Sequence, residues 1–269
     1  MINRRKILQL GAAASVSLPF LEANARSLSV AEQKSQAMKT LGMIGGTSWH
    51  STIDYYRYIN QMVNDRQGNR VNPPLLITNL NQLLVNTLQA QGMWKELTQI
   101  YVDAGKSLVA GGAQSIIFCS NTAHKLYDDV SAALTVPILH IADATGQAAE
   151  DRGVRKLALF GTKYTMESPF IQQRLRSTYG MEVFTPNAAA RNELARIIAE
   201  ELSAGRIEDD SRAYLVAEMD KLKKRGAEAI ILGCTEFPML VKQHHYDLPL
   251  LDTTYLHAQM AVNFILDTQ

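Results

Sequence analysis

Apolar residues along this chain fall into short solid runs separated by helix-spaced stripes. Leu41-Gly42-Met43-Ile44 reads as a strand that runs into the glycine turn Gly45-Gly46. Residues 51–66 then carry Ile53, Tyr56, Ile59 and Val63 at helical spacing. Leu75 to Leu80 reads as a second strand. Trp94, Leu97, Tyr101, Ala104 and Leu108 mark another amphipathic helix, stopped by Gly111-Gly112. Ser115 to Cys119 and Val136 to Ile141 read as further strands. Strands alternating with amphipathic helices predict an α/β fold with parallel sheets.

The second half repeats the order of the first. Leu157-Ala158-Leu159-Phe160-Gly161-Thr162 parallels the first strand and its turn. Gly226 to Thr235 parallels Gly112 to Ser120, and Leu248-Pro249-Leu250-Leu251-Asp252 parallels Val136-Pro137-Ile138-Leu139-His140. The offsets agree: Leu41 lies 75 residues before Ile116, and Leu157 lies 73 before Ile230. A cysteine closes the same strand in each half, Cys119 and Cys234. This predicts two pseudo-symmetric lobes, each a central parallel sheet flanked by helices, with a site in the cleft between them.

The first 25 residues follow a different pattern. Arg4-Arg5-Lys6 precede a mainly apolar run from Ile7 to Leu21, and Ala23-Asn24-Ala25 offers small residues for a signal peptidase. Residues 1–25 are therefore expected to be an export signal of the twin-arginine type, directing the protein to the periplasm. Residues 26–38 are polar and read as a tether. Removing the signal takes away three positive charges and Glu22 and leaves a formal charge of −1. With no basic stripe, nucleic acid is not an expected partner. No stable membrane association is expected once the signal is gone. The 269 residues, 46% of them apolar, suffice for one large core or two small ones.

The two cysteines carry the candidate chemistry. Ligands of open α/β sheets bind outside the carboxyl ends of the strands. A following helix N-terminus would favour a thiolate and lower the thiol pKa. Two thiols facing one cleft from opposite lobes suit racemisation. That reaction takes a proton from one face of a carbon and returns one to the other, and needs no redox cofactor or ATP. Asn121, Thr122 and Thr235, with nearby backbone N–H groups, are placed to stabilise charge developing on the substrate carboxylate. A disulfide between the two cysteines is the competing use of an exported pair.

Five segments in order carry a family resemblance: Gly45 to Thr52, Cys119 to Lys125, His140 to Thr145, Gly161 to Glu167 and Gly233 to Glu236. Over roughly residues 39–267 the chain resembles the aspartate/glutamate racemase superfamily, and most of all its broad-specificity amino-acid racemases. The resemblance implies a homodimer and a pyridoxal-independent mechanism on Cys119 and Cys234, with no cofactor and no metal. It also implies a last helix that crosses back to the first lobe. The lobes are then residues 39–142 plus 254–269, with Cys119, and 143–253, with Cys234. By the same resemblance Asn121, Thr122, Thr162 and Thr235 bind the substrate α-carboxylate and its neighbourhood, and Thr47 and Ser48 line the side-chain end. One departure stands out. Aspartate-specific relatives carry an arginine near position 86 and a lysine near position 192, where this chain has Asn86 and Asn192-Glu193; Arg191 is the nearby cation. This implies aspartate/glutamate-like or broader polar substrates rather than aspartate alone.

Other readings stay open at this level. His124 either tunes Cys119 or faces solvent one turn into its helix. Glu236 either orients the second thiol or complements a helix dipole. Asn121 and Thr122 are candidate helix caps as well as ligands. His244-His245 lacks the spacing and third partner of a metal site, and Gly45-Gly46 lacks the ending of a phosphate loop. Two other functions compete: a two-cysteine isomerase of a small unsaturated diacid, and an exported solute-binding protein.

Overall fold

The computed structural model describes residues 38–68 and 70–268. The export signal read at residues 1–25, and the tether up to residue 37, lie outside the described residues.

Two parallel sheets organise the chain. The first has β1 (Leu41–Gly45), β2 (Leu75–Asn79) and β3 (Ser115–Phe118) in the order β2-β1-β3. Between them run α1 (Trp49–Gln67), α2 (Gln82–Ala90) and α3 (Trp94–Ala110), and α4 (Tyr127–Ala132) and α5 (Ile141–Glu150) follow β3. The second sheet comprises β4 (Lys156–Gly161), β5 (Glu182–Phe184), β6 (Ala229–Gly233) and β7 (Leu250–Asp252), ordered β5-β4-β6-β7. Its helices are α6 (Lys163–Glu167), α7 (Pro169–Tyr179), α8 (Ala188–Arg196), α9 (Asp209–Lys224) and α10 (Phe237–Leu240). Strands β1, β3 and β6 are buried along their whole length, as expected for parallel strands covered by helices on both faces. In each half the glycine-turn strand pairs in parallel with the cysteine strand: Ile44 with Phe118, and Gly161 with Gly233.

The last helix, α11 (Thr253–Ile265), returns to the first sheet. Ala258, Ala261, Val262 and Ile265 pack with Leu41, Met43, Tyr55, Ile59 and Val63. Tyr55 and His257 weld the contact. His257 Nε2–H donates to the Leu139 carbonyl at 3.0 Å, which leaves Nδ1 to accept from the Tyr55 hydroxyl at 2.8 Å. Burying a polar pair costs little once every partner is satisfied.

One predicted strand is not there. Val136 to Ile141 forms only an isolated parallel bridge between Ile116 and Ile138. Pro137 has no N–H for a ladder. His140 then ends the extended run, because its Nδ1 accepts from the Ala142 N–H at 3.0 Å and starts α5. The equivalent segment of the second half does form a strand, β7, three residues long, although it too has a proline, Pro249, and a capping side chain, Asp252, so neither feature by itself excludes a ladder.

Candidate active site

Each half builds its share of the site from the strand end outward. After β1 the chain turns at Gly46, whose φ of +85° suits glycine, and a Cβ there would lie 2.2 Å from the Leu80 carbonyl oxygen. The turn presents Thr47, held by the Tyr101 hydroxyl at 2.7 Å, and Ser48, the N-cap of α1. After β3, the Cys119 N–H donates to the Ile44 carbonyl at 2.9 Å and its carbonyl accepts from Ser51 Oγ at 2.7 Å. The backbone of the first thiol is thus tied on both sides.

The second half contributes Thr162 and Cys234. Thr162 caps α6 through the Thr165 N–H at 3.2 Å, and its hydroxyl meets that of Thr122 at 3.1 Å. That hydroxyl pair bridges the loops that leave the two sheets. Asn121 Nδ2 donates to Thr253 Oγ1 at 2.9 Å, while Asn121 Oδ1 is buried without a partner among the described residues. Neither Asn121 nor Thr122 makes a side-chain cap bond, so their polar atoms serve the cleft and its walls instead. Cys234 Sγ donates to Glu236 Oε2 at 2.9 Å, and Thr235 Oγ1 donates to the same oxygen at 2.8 Å.

Both cysteines, with Thr47, Ser48, Asn121, Thr122, Thr162, Thr235 and Glu236, line one cleft of about 160 Å³. Both cysteines are buried free thiols in this structure. Glu236 is in hydrogen-bond contact with the second thiol.

Two predicted auxiliary residues do not reach the cleft. His124 is buried: Nδ1–H donates to the Ser120 carbonyl at 3.0 Å and Nε2 accepts from the Ile141 N–H at 3.2 Å. Burial overturns the solvent-facing reading, and both ring nitrogens are spent on the backbone of the loop behind Cys119. Arg191 is drawn off by Glu167 at 3.1 Å and by the Pro186 carbonyl at 2.7 Å. A guanidinium so paired is not available as a substitute carboxylate clamp.

The expected lowering of the thiol pKa values is also corrected. Burial pushes the Cys119 thiol far up, and burial together with the Glu236 carboxylate pushes Cys234 up. The helices after the cysteines explain why. A five-residue 3₁₀ turn, Thr122–Leu126, follows the first, and four-residue α10 follows the second. Such short helices sum few peptide dipoles, too few to offset desolvation.

The cleft also has walls that the sequence reading did not assign. Gln82 and Gln89 stand with Asn86 on one face of α2, a spacing legible once a helix is drawn over residues 82–90. Ser51 sits one turn past the cap residue Ser48. Ile198 and Ser203 reach the cleft from a π-helical turn, Ile197–Glu201, and the residues just after it. Wide turns of this kind are frequent at functional sites, but no hydrophobic periodicity announces one.

Residues 44–261 match the sequence model of a family described as Asp/Glu/Hydantoin racemase. The broad-specificity amino-acid racemase RacX of Bacillus subtilis (strain 168) is 25% identical over 176 residues, 65% of this chain and 74% of that protein. A crystal structure of a candidate Asp/Glu racemase from Yersinia pestis is 42% identical with a TM-score of 0.81, covering 85% of this chain and all of that one. An aspartate racemase homologue from Pyrococcus horikoshii OT3 is 34% identical with a TM-score of 0.76, covering 85% of this chain and 99% of that one.

Proposed function

The chain belongs to the Asp/Glu/Hydantoin racemase family, an isomerase of the amino-acid racemase type, and from that premise we propose a two-thiol mechanism. Cys119 and Cys234 exchange the α-proton of an amino acid on opposite faces, without pyridoxal phosphate. The observation that carries this reading is the convergence of both thiols, from matched strand ends of the two sheets, on one cleft.

Within one turnover one cysteine begins as thiolate and removes the α-proton, and the other begins as thiol and delivers its own proton to the opposite face. The next turnover in the reverse direction swaps the roles. Both thiols are held up by burial, so ionisation has to be assisted. The substrate supplies that help: an α-ammonium in the cleft is a nearby positive charge, and it favours thiolate. Cys234 also donates to Glu236, and the carboxylate adds to its pKa rise; Cys119 is raised by burial alone. Cys234 thus has a cause of pKa rise, the Glu236 carboxylate, that Cys119 lacks. The carbanion formed at Cα spreads charge onto the α-carboxylate, and the hydroxyls of Thr122 and Thr162 with the amide of Asn121 are its neutral donors, while the Thr235 hydroxyl is engaged with Glu236.

The homodimer reading is supported by an exposed stripe of Trp49, Ile53 and Tyr56 on α1, each about half accessible. Export of the chain rests on residues 1–25 alone. The test of the mechanism is α-proton exchange in D2O, followed by NMR on L- and D-amino acids without added cofactor. Exchange with stereoinversion, lost in both Cys119→Ala and Cys234→Ala, is the expected result. Folded protein with free thiols and no exchange on any amino acid would reject it.

A further inference from the structure

Helix α2 closes one wall of the cleft with side chains that have a common chemistry. Gln82, Asn86 and Gln89 lie at i, i+4 and i+7, on one face, and all three line the cleft. Val85 and Leu88, on the other face, are buried in the core of the first sheet. The cleft-facing stripe is therefore neutral amide from end to end.

The stripe is held in place from the second half of the chain. The Tyr164 hydroxyl donates to the Gln89 carbonyl at 3.0 Å, and the Tyr164 ring stands edge-on to Trp94 at 5.4 Å between centroids. Tyr164 belongs to α6, the helix that Thr162 caps inside the cleft. The last turn of α2 is thus fixed against the element that carries a candidate carboxylate ligand.

Two residues that line this cleft each carry a side-chain atom buried without a partner among the described residues, and the two atoms have opposite sense. Gln89 Nε2 is a donor in need of an acceptor. Asn121 Oδ1 is an acceptor in need of a donor. A buried polar atom left unpaired is destabilising, and a ligand that satisfies it gains selectivity over one that cannot. The charge around them is lopsided. Among the described residues no lysine, arginine or histidine lines the cleft, and Glu236 is its only carboxylate. Arg191 is paired with Glu167, and Lys163 donates to the neutral Asn192 side chain at 3.2 Å.

We propose that the Gln82–Asn86–Gln89 face of α2 selects the substrate side chain, and that the preferred substrate carries a neutral hydrogen-bonding group, a primary amide or a hydroxyl, in place of a second carboxylate. Gln89 Nε2 donates to the side-chain oxygen, Asn86 and Gln82 complete the polar wall, and Asn121 Oδ1 accepts from the α-ammonium. A second carboxylate would enter a cleft that holds no countercharge and already contains Glu236, so it is disfavoured by desolvation and by like charge together. This inference rests on the racemase reading and narrows it.

Two measurements separate the inference from that reading. The first is kcat/KM for racemisation of asparagine, glutamine and homoserine against aspartate and glutamate. The neutral substrates are expected to lead by roughly 100-fold. Gln89→Leu should raise KM for asparagine or glutamine about tenfold with little change in kcat, since it removes a binding donor and no reacting group. Asn86→Arg should narrow or invert the preference by supplying the missing cation. The second is isothermal titration of the Cys119→Ala/Cys234→Ala double variant with L-asparagine and with L-aspartate, which needs no turnover. Tighter binding of asparagine there supports the selector even if no amino acid is racemised. Turnover of aspartate or glutamate at a kcat/KM equal to or above that of the neutral substrates overturns the selector and leaves the racemase standing. Equal binding of the two ligands to the double variant also overturns the selector.

Discussion

Cys234 and Glu236 form a thiol–carboxylate pair, with Sγ 2.9 Å from Oε2, inside a cleft where Cys119 has no such partner. Two residues at equivalent strand ends are therefore electrostatically unequal. A racemase must run equally far in both directions at equilibrium, but its two half-reactions need not share one pH dependence.

Replacing Glu236 by glutamine should expose this inequality. The carboxylate raises the Cys234 pKa in addition to burial, so a neutral amide lowers that pKa while burial keeps it above the ordinary value. In the direction where Cys234 is the acid, its thiol is lost earlier, and the alkaline limb of the pH profile moves to lower pH. In the direction where Cys234 is the base, the thiolate forms earlier, and the acidic limb moves to lower pH as well. Profiles of kcat/KM for the L-to-D and D-to-L reactions measure both; two unmoved profiles would mean that Glu236 does not couple to the thiol.

Cys119→Ala and Cys234→Ala should each cut racemisation by about 10²–10⁴-fold, the usual worth of a positioned acid or base. Their thermal midpoints should stay close to that of the parent, because each change removes one sulfur. Loss of activity in only one variant would reduce the mechanism to a single base.

Gly46→Ala tests the turn that sets the cleft. The new Cβ would meet the Leu80 backbone at 2.2 Å and φ would stay positive, at +85°. Strain and clash together should cost about 2–4 kcal/mol, read as a lower urea midpoint with an unchanged slope. An unchanged midpoint would show that the loop relaxes freely.

Stability should fall with acid below pH ~6.5, the free histidine pKa. Burial holds His257 down at about 4, and holds His124 and His140 below their ordinary value. A depressed histidine stays neutral in the folded protein while the unfolded chain takes up the proton. Each one therefore costs up to about 1.4 kcal/mol per pH unit as pH drops from the unfolded pKa towards the folded one, and costs nothing above it. His140→Asn keeps a side-chain acceptor for the Ala142 N–H and removes one titrating group. Urea titrations between pH 7 and 5 should show a shallower slope for this variant, and identical slopes would assign the acid sensitivity elsewhere.

Much of this was legible in one dimension. The solid apolar runs at Leu41, Ser115, Leu157 and Ala229 became strands because a strand covered on both faces must be apolar at every position. The repeat of glycine turn and strand-end cysteine marked one pair of neighbouring strands in each sheet and both thiols. Val136 to Ile141 misled, because its apolar content resembles a strand while its pairing stops at the single Ile116–Ile138 bridge.

The sequence by itself determined the paired glycine-turn and cysteine strands, their repetition in the second half and the two cysteines, since each is written in local composition and spacing. The tertiary structure alone decided their electrostatics and their company. Whether a thiol is raised or lowered depends on burial and on a carboxylate brought to 2.9 Å. Whether His124 and Arg191 serve the cleft depends on which backbone and side-chain partners claim them first. Desolvation and pairing are properties of three-dimensional neighbours, and neighbours far apart in the chain leave no periodic trace in it.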